Sequence, residues 1–311
     1  MADSAEEFVA ALYRLLLRRE PEAGARLDAV SRLERGTLSR AALASEVVSS
    51  PEFARLRSLD DAVARALQAR LTNERPRNLT APAGSDERPT EIAWTLARYR
   101  GEERVLDVGY AHAEPAYLAA LVGAAPQAPV GVDLVAGDVA GFEGVEADVR
   151  ALPFKRGSFD VVFCISTLEH VGKDNRLYGA PEERDPAGIP QALRELKRVL
   201  RRSGRLLLTV PAGENEDREW FVQRDPRSWR ELFLQAGFAV YEHELYELGE
   251  DGWRSVERVT ERLRYGERGP GASAVLCAEL RPGRLRHAFK RRGASLRRGL
   301  GNVRAAPGRP S

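Results

Sequence analysis

Three acidic residues at or near the ends of short apolar runs are the first feature of the chain that could do chemistry. Asp107 lies in Val105-Leu106-Asp107-Val108-Gly109, Asp133 closes Val130-Gly131-Val132-Asp133, and Asp148 follows Val145-Glu146-Ala147. In an open α/β sheet, ligands bind outside the carboxyl ends of the strands, so these runs bring three carboxylates to one edge. Asp133, 24 positions after Gly109, is placed to accept both hydroxyls of a ribose. Asp148 can accept from a base amino group while the backbone at Val149 and its neighbours reads the ring edge. After the fourth run, Val161–Ile165, come Ser166, Thr167, Leu168, Glu169 and His170. A histidine titrates near neutrality, which makes His170 a general-base candidate for a hydroxyl nucleophile, with Glu169 orienting it or fixing a substrate hydroxyl. His112, in the loop after Gly109, is expected to shape the pocket.

The elements that must hold these residues follow from periodicity. Short apolar strands are expected at 104–108, 130–134, 144–147, 161–165, 205–210, 239–244 and 274–279, with helix-period stretches at 116–121 and 192–200. That alternation predicts an α/β fold: a doubly wound, seven-stranded, mostly parallel sheet over residues 88–280. Ahead of it, apolar residues at three- and four-residue spacing predict a small all-α domain over residues 1–58. Pro21 and Gly36 mark its turns, and Thr37 and Ser39 are suited to cap its third helix. Residues 59–87 read as one more helix and a linker.

Composition narrows the function classes. The chain has 311 residues, 43% hydrophobic and 30% charged, and no apolar run nears the roughly 18 residues of a membrane span. Its start, Met1 to Glu7, is acidic and lacks a signal-peptide pattern. The two cysteines, Cys164 and Cys277, lie in apolar runs where core packing accounts for them, so a cytoplasmic location is expected. Residues 281–311 hold ten of the 48 basic residues and none of the 46 acidic ones, which leaves a balance of −8 for the body. A solvated basic tail is the expectation there, with weak membrane-surface contact as its alternative role and nucleic acid disfavoured.

The ordered stretches VLDVG, VGVDL, VEADVRALPFKRGSFDVVFCISTLEHV and ALRELKRVLRRSGRLLLTVPAG resemble the class I S-adenosylmethionine-dependent methyltransferases, of the type 11-like kind, across about 190 residues. The resemblance implies a Rossmann-like fold and S-adenosylmethionine as cofactor. It places Asp107, Gly109, Tyr110 and Ala111 in the methionine-binding loop, Asp133 and Leu134 at the ribose, Asp148 and Val149 at the adenine, and Ile165 and Ser166 beside the reacting methyl. The family's Gly-x-Gly is replaced by Gly109-Tyr110-Ala111-His112-Ala113, which adds two methyl groups where the backbone approaches the cofactor. Where some relatives carry Glu-x-x-Glu-His for a divalent ion, the first position here is Ser166, and no metal is expected.

EHVGKDNRLYG and RSWRELFLQAGF look like methyltransferases encoded among polysaccharide-assembly enzymes, and FVAALYRLLLRREPEAG resembles a small helical domain of unknown function found beside such enzymes. The expected acceptor is therefore a hydroxyl of a glycan or sugar-linked intermediate, with the helical domain docking a protein partner. A small-molecule methyltransferase and a non-catalytic scaffold with a degenerate site are the alternatives. A dehydrogenase would need Gly-x-Gly-x-x-Gly, which is absent.

Overall fold

The computed structural model of the protein describes residues 4–283. Four helices come first: α1 (Ala5–Leu17), α2 (Ala23–Glu34), α3 (Arg40–Val48) and α4 (Pro51–Leu71). Their starts are set by side chains that satisfy otherwise free backbone N–H groups. Ser4 and Glu7 form a reciprocal capping box on α1, Ser39 accepts from Ala42 at the head of α3, and Ser50 accepts from Phe53 ahead of Pro51 on α4. The first three helices close over a small core of Val9, Leu12, Leu17, Ala29, Leu43 and Val47.

The 21-residue helix α4 runs unbroken across position 58. Phe53 and Leu56 pack on the small core, whereas Leu59, Ala62, Val63, Ala66 and Ala69 belong to the core of the large sheet. The segment expected as a linker also joins that sheet: β1 (Ala81–Pro82) pairs with Trp253 and Gly252. It is anchored from below by charge, because Arg75 and Arg77 reach Glu242 on one of the sheet's long strands.

The remaining elements are α5 (Arg88–Leu96), β2 (Val105–Val108), α6 (Pro115–Ala124), β3 (Val130–Asp133), β4 (Glu143–Glu146) and β5 (Phe159–Ile165). They continue with α7 (Gly188–Val199), β6 (Leu200–Pro211), the small pair β7 (Glu216–Asp217) and β8 (Val222–Gln223), α8 (Pro226–Gln235), β9 (Phe238–Gly249), β10 (Gly252–Val256) and β11 (Ala274–Pro282). The main sheet is ordered β1-β10-β9-β11-β6-β5-β2-β3-β4. The pairs among β4, β3, β2, β5 and β6 are parallel, and those from β6 through β11, β9 and β10 to β1 are antiparallel. Only β10 and β11 therefore run against the rest, and the fold is the expected mostly parallel α/β sheet. All seven expected strands are present, and β1 and β10 extend the antiparallel edge.

Both faces are covered at β5, which is why it is apolar from Val161 to Ile165. Val161 and Phe163 face a core with Trp94, Tyr99 and Leu121, while Val162 and Cys164 face one with Leu193, Leu196 and Trp229. Both cysteines are buried and unbridged, Cys164 and Cys277 lying in different cores. Among the described residues no helix is long and apolar enough to cross a membrane. Apart from Arg281, Pro282 and Gly283, the expected basic tail lies outside the described residues.

Candidate functional site

A cleft of about 260 Å³ opens at the carboxyl ends of β2, β3, β4 and β5. Its floor is the turn after β2, where Gly109 has φ 88°. A Cβ at that position would stand 2.3 Å from Thr167 Oγ1, so only glycine brings this turn so close to the residues after β5. Thr167 in turn reaches the carbonyls of Val108 and Ile165, at 3.1 and 2.9 Å, and ties the two strand ends together.

Of the residues singled out from sequence, Gly109, Asp133, Leu134, Asp148, Val149, Ile165 and His170 line the cleft together. Asp107, Tyr110, Ala111 and Glu169 stand behind it. Tyr110 turns under β3, where its ring lies against Gly131 and its hydroxyl donates to the Gly137 carbonyl at 2.8 Å. The methyl of Ala111 faces Gly137 rather than the cleft, and its N–H donates to Asp133 Oδ2 at 3.2 Å. Of the two added methyl groups, then, only that of Ala113 borders the cleft.

Each carboxylate is held differently. Asp107 is buried and accepts a hydrogen bond from the Tyr117 hydroxyl; burial pushes it up to about 7 against that bond. Burial also raises Asp133, opposed by the N–H groups of Leu134 and Ala111. In Asp148 burial would do the same, but the Arg150 side chain holds it below the usual carboxylate range. Arg150 also bonds Glu183 and Asp185, pinning the 172–190 loop beside the Asp148 end of the cleft.

The other end is aromatic. Tyr178, from that loop, sits between His112 and His170, at ring separations of 5.2 and 5.5 Å, and Trp220 stacks on His170 at 5.4 Å. His170 Nδ1 lies 2.7 Å from the Trp220 carbonyl, which can only accept. That nitrogen therefore carries the proton of the neutral ring, leaving Nε2 as an acceptor. Burial depresses His170 to about 4, so the ring is neutral at physiological pH. Glu169 Oε1 lies 4.0 Å from that Nε2, too far for a hydrogen bond, and Oε2 has no partner. Burial lifts this carboxyl to about 8.

Two further residues, Arg88 and Glu91, were not singled out from sequence, and Ser166 was placed only beside the reacting methyl. Arg88 lines the cleft and pairs with the fully buried Glu91, and both come from α5. Ser166, which also lines the cleft, donates to Glu91 from across 75 positions of sequence. No motif announces α5: it is buried on all sides and so lacks the polar stripe that marks a surface helix. Among the described residues no group of three or more His, Cys, Asp or Glu side chains could hold a metal ion.

No curated protein matches the chain. Among solved structures, it is similar to the 1,6-didemethyltoxoflavin-N1-methyltransferase of Burkholderia thailandensis with bound 1,6-didemethyltoxoflavin and S-adenosylhomocysteine, at 13% identity over 91% of this chain and 92% of that one, TM-score 0.42. A SAM-dependent methyltransferase from Aquifex aeolicus aligns at 14% identity over 58% of this chain and 82% of that one, TM-score 0.35. The [4+2]-cyclase SpnF aligns at 14% over 75% and 96%, TM-score 0.45. Residues 106–208, which run from β2 into β6 and so take in the parallel strands that build the cleft, match the family model described as "Methyltransferase domain".

Proposed function

We propose that the protein transfers a methyl group from S-adenosylmethionine to a hydroxyl of a glycan or sugar-linked intermediate, in the cytoplasm, as a step of polysaccharide assembly. The observation that carries the reading is the convergence of Gly109, Asp133 and Asp148, from three strand ends, on one cleft within the segment that matches a methyltransferase domain. The cofactor fits the donor set. Asp133 would present its carboxylate to the ribose hydroxyls, Asp148 and Val149 would border the adenine, and the turn at Gly109 would take the methionine portion. Bound there, S-adenosylmethionine supplies a methyl already activated by the positive sulfur.

The protein's part is to align the acceptor and exclude water. Ile165, which lines the cleft, would border the reacting carbon. His170 has two roles open to it, base or orienting group, and its low proton affinity favours the second: neutral Nε2 accepts a hydrogen bond from a sugar hydroxyl. Glu169 backs this corner from inside the core. Tyr178, which lines the cleft with Arg88 and His170, offers an aromatic face among polar groups that suits a sugar ring, and Trp220 stacks on His170 to hold it. The helical domain is assigned a docking role for a protein partner.

Calorimetry with S-adenosylhomocysteine tests the cofactor. A micromolar dissociation constant is expected, weakened at least tenfold in Asp133→Ala; no binding at millimolar ligand would favour a scaffold with the same fold. Labelled cofactor, offered with methyl glycosides, nucleotide sugars and small amines, tests the acceptor. Label in the sugar hydroxyls supports the reading, and label in amines alone replaces it with a small-molecule amine methyltransferase.

A further inference from the structure

We propose that Ser166 and Glu91 form a proton relay, in which Ser166 touches the acceptor hydroxyl and passes its proton to Glu91 behind it. The relay rests on the methyl-transfer reading above and names the groups that deprotonate the acceptor.

Three observations carry it. First, Ser166 Oγ lies 2.7 and 2.9 Å from the two carboxylate oxygens of Glu91. A hydroxyl has one proton, so donation to Glu91 leaves Ser166 only lone pairs to offer the cleft, and these accept from an incoming hydroxyl. Second, Ser166 is held at φ 43°, in the left-handed region, at the first position after β5. Its N–H is fixed there by the Thr209 carbonyl and hydroxyl at 3.2 and 3.1 Å. Non-glycine residues keep such a conformation only where their surroundings impose it, and these sites cluster where function needs a side chain aimed. Third, Glu91 is wholly buried and stands behind the cleft wall. Every hydrogen bond to its carboxylate is donated to it, by Ser166 and by Arg88 at 3.2 Å. It is a proton acceptor shielded from water, with its access to the cleft running through Ser166.

The step balances. As the acceptor oxygen bonds to the methyl carbon, the carbon–sulfur bond breaks and its electron pair remains on sulfur. The acceptor's proton moves to Ser166 Oγ, and the proton of Ser166 moves to a Glu91 oxygen. Glu91 leaves the step as a neutral acid and returns its proton to water through Ser166 once the product departs. His170 Nε2 takes the hydrogen bond of a neighbouring hydroxyl, so the two residues divide the labour: Ser166 is the catalytic residue and His170 orients. Glu91 touches Ser166 rather than the acceptor, and is a positioning residue that also receives the proton.

The test compares wild type with Ser166→Gly and Glu91→Gln, using methyl glycosides and nucleotide sugars as hydroxyl probes and the corresponding amino sugars as rescue probes. Glycine adopts φ 43° without strain, so Ser166→Gly cannot fail through its backbone. The expected result is a fall in kcat on hydroxyl probes of about 10²- to 10⁴-fold in both variants, the span of general acid–base catalysis, with little change in KM. S-adenosylhomocysteine affinity by calorimetry stays within about twofold of wild type. An amine supplied as free base needs no proton removed before it attacks, so amino sugars should restore most of the lost rate. A fall in kcat under about threefold, or an equal loss on amino sugars, overturns the relay and leaves Ser166 as a structural pin between α5 and β5. Wild-type protein that binds S-adenosylhomocysteine but labels no hydroxyl probe also overturns it, while wild-type protein that binds none overturns the methyl-transfer reading itself.

Discussion

At the scale of single residues, the wall behind the cleft stores protons. Burial lifts Glu169 from 4.5 to about 8, Glu87 to about 7 and Asp107 to about 7, so the folded chain holds protons there that the unfolded chain has released. Stability from such groups is complete below about pH 4 and is lost as the pH rises through their folded values. His170 works the other way: depressed from 6.5 to about 4, its contribution is present above 6.5 and lost as the pH falls. Between pH 6.5 and 9 only the carboxyls act, so the melting temperature should drop over that interval. Glu169→Gln, neutral at every pH, should flatten the drop, gaining up to about 2 kcal/mol on wild type between pH 6.5 and 9 at roughly 1.4 kcal/mol per pH unit. Thermal unfolding in both proteins checks this; parallel curves would show that Glu169 is ionised in the fold. His170→Ala, in turn, should raise KM for hydroxyl acceptors more than it lowers kcat, as expected for a group that orients rather than deprotonates. Asp133 and Asp148 were legible in sequence because each stands at the end of an expected strand, and His170 because it follows the β5 run by five positions. Glu91 and Ser166 were not legible as a pair, because their contact forms only when α5 packs against the end of β5.

At the scale of elements, apolar runs marked the strands in the covered middle of the sheet; the signal extended to all seven expected strands, although β4, at the edge, is mostly exposed. The two further strands fall outside it. β1 is two residues long and contains a proline, which sequence reads as a break. β10 carries a signal that could have found it: Glu250-Asp251 forms a two-residue turn between the paired Gly249 and Gly252, and a short polar segment bounded by glycines between two strand-like runs marks a hairpin. The turn after β2 shows why the replaced glycines are tolerated. Gly109, the position whose Cβ would strike Thr167, is retained; Ala111 points its methyl elsewhere. Gly109→Ala should therefore destabilise the protein by at least about 1–3 kcal/mol from backbone strain alone. It should also weaken S-adenosylhomocysteine binding. Adding Thr167→Ala should recover the part due to the collision but not the part due to φ, a split that denaturant unfolding of the single and double variants measures.

At the scale of the whole molecule, α4 decides how the helical module and the sheet are joined. Its first turns face the small core and its last three turns face the large one, so the seam between the units runs through the middle of a rigid helix. Arg55, near that seam, reaches Asp86 and Glu114 at 3.1 and 2.8 Å, and Glu114 is both the N-cap of α6 and part of the cleft. The module is thus braced against the start of α6, beside the cleft, by a part-buried pair of ion pairs. Two truncations separate these roles. Removing residues 1–49 keeps the Ser50 cap, all of α4 and the Arg55 bridge; the remainder should unfold cooperatively and bind S-adenosylhomocysteine with unchanged affinity. Removing residues 1–71 strips Leu59, Ala62, Val63, Ala66 and Ala69 from the large core. Leu59 and Val63, at about 2–5 kcal/mol each, cost about 4–10 kcal/mol before the three alanines are counted, which is comparable with the 5–15 kcal/mol that holds a typical domain folded. That shorter chain should be insoluble or unfolded by circular dichroism. If it folds and binds as well as the longer one, α4 is an accessory to the sheet and the joint lies after it, in residues 72–87.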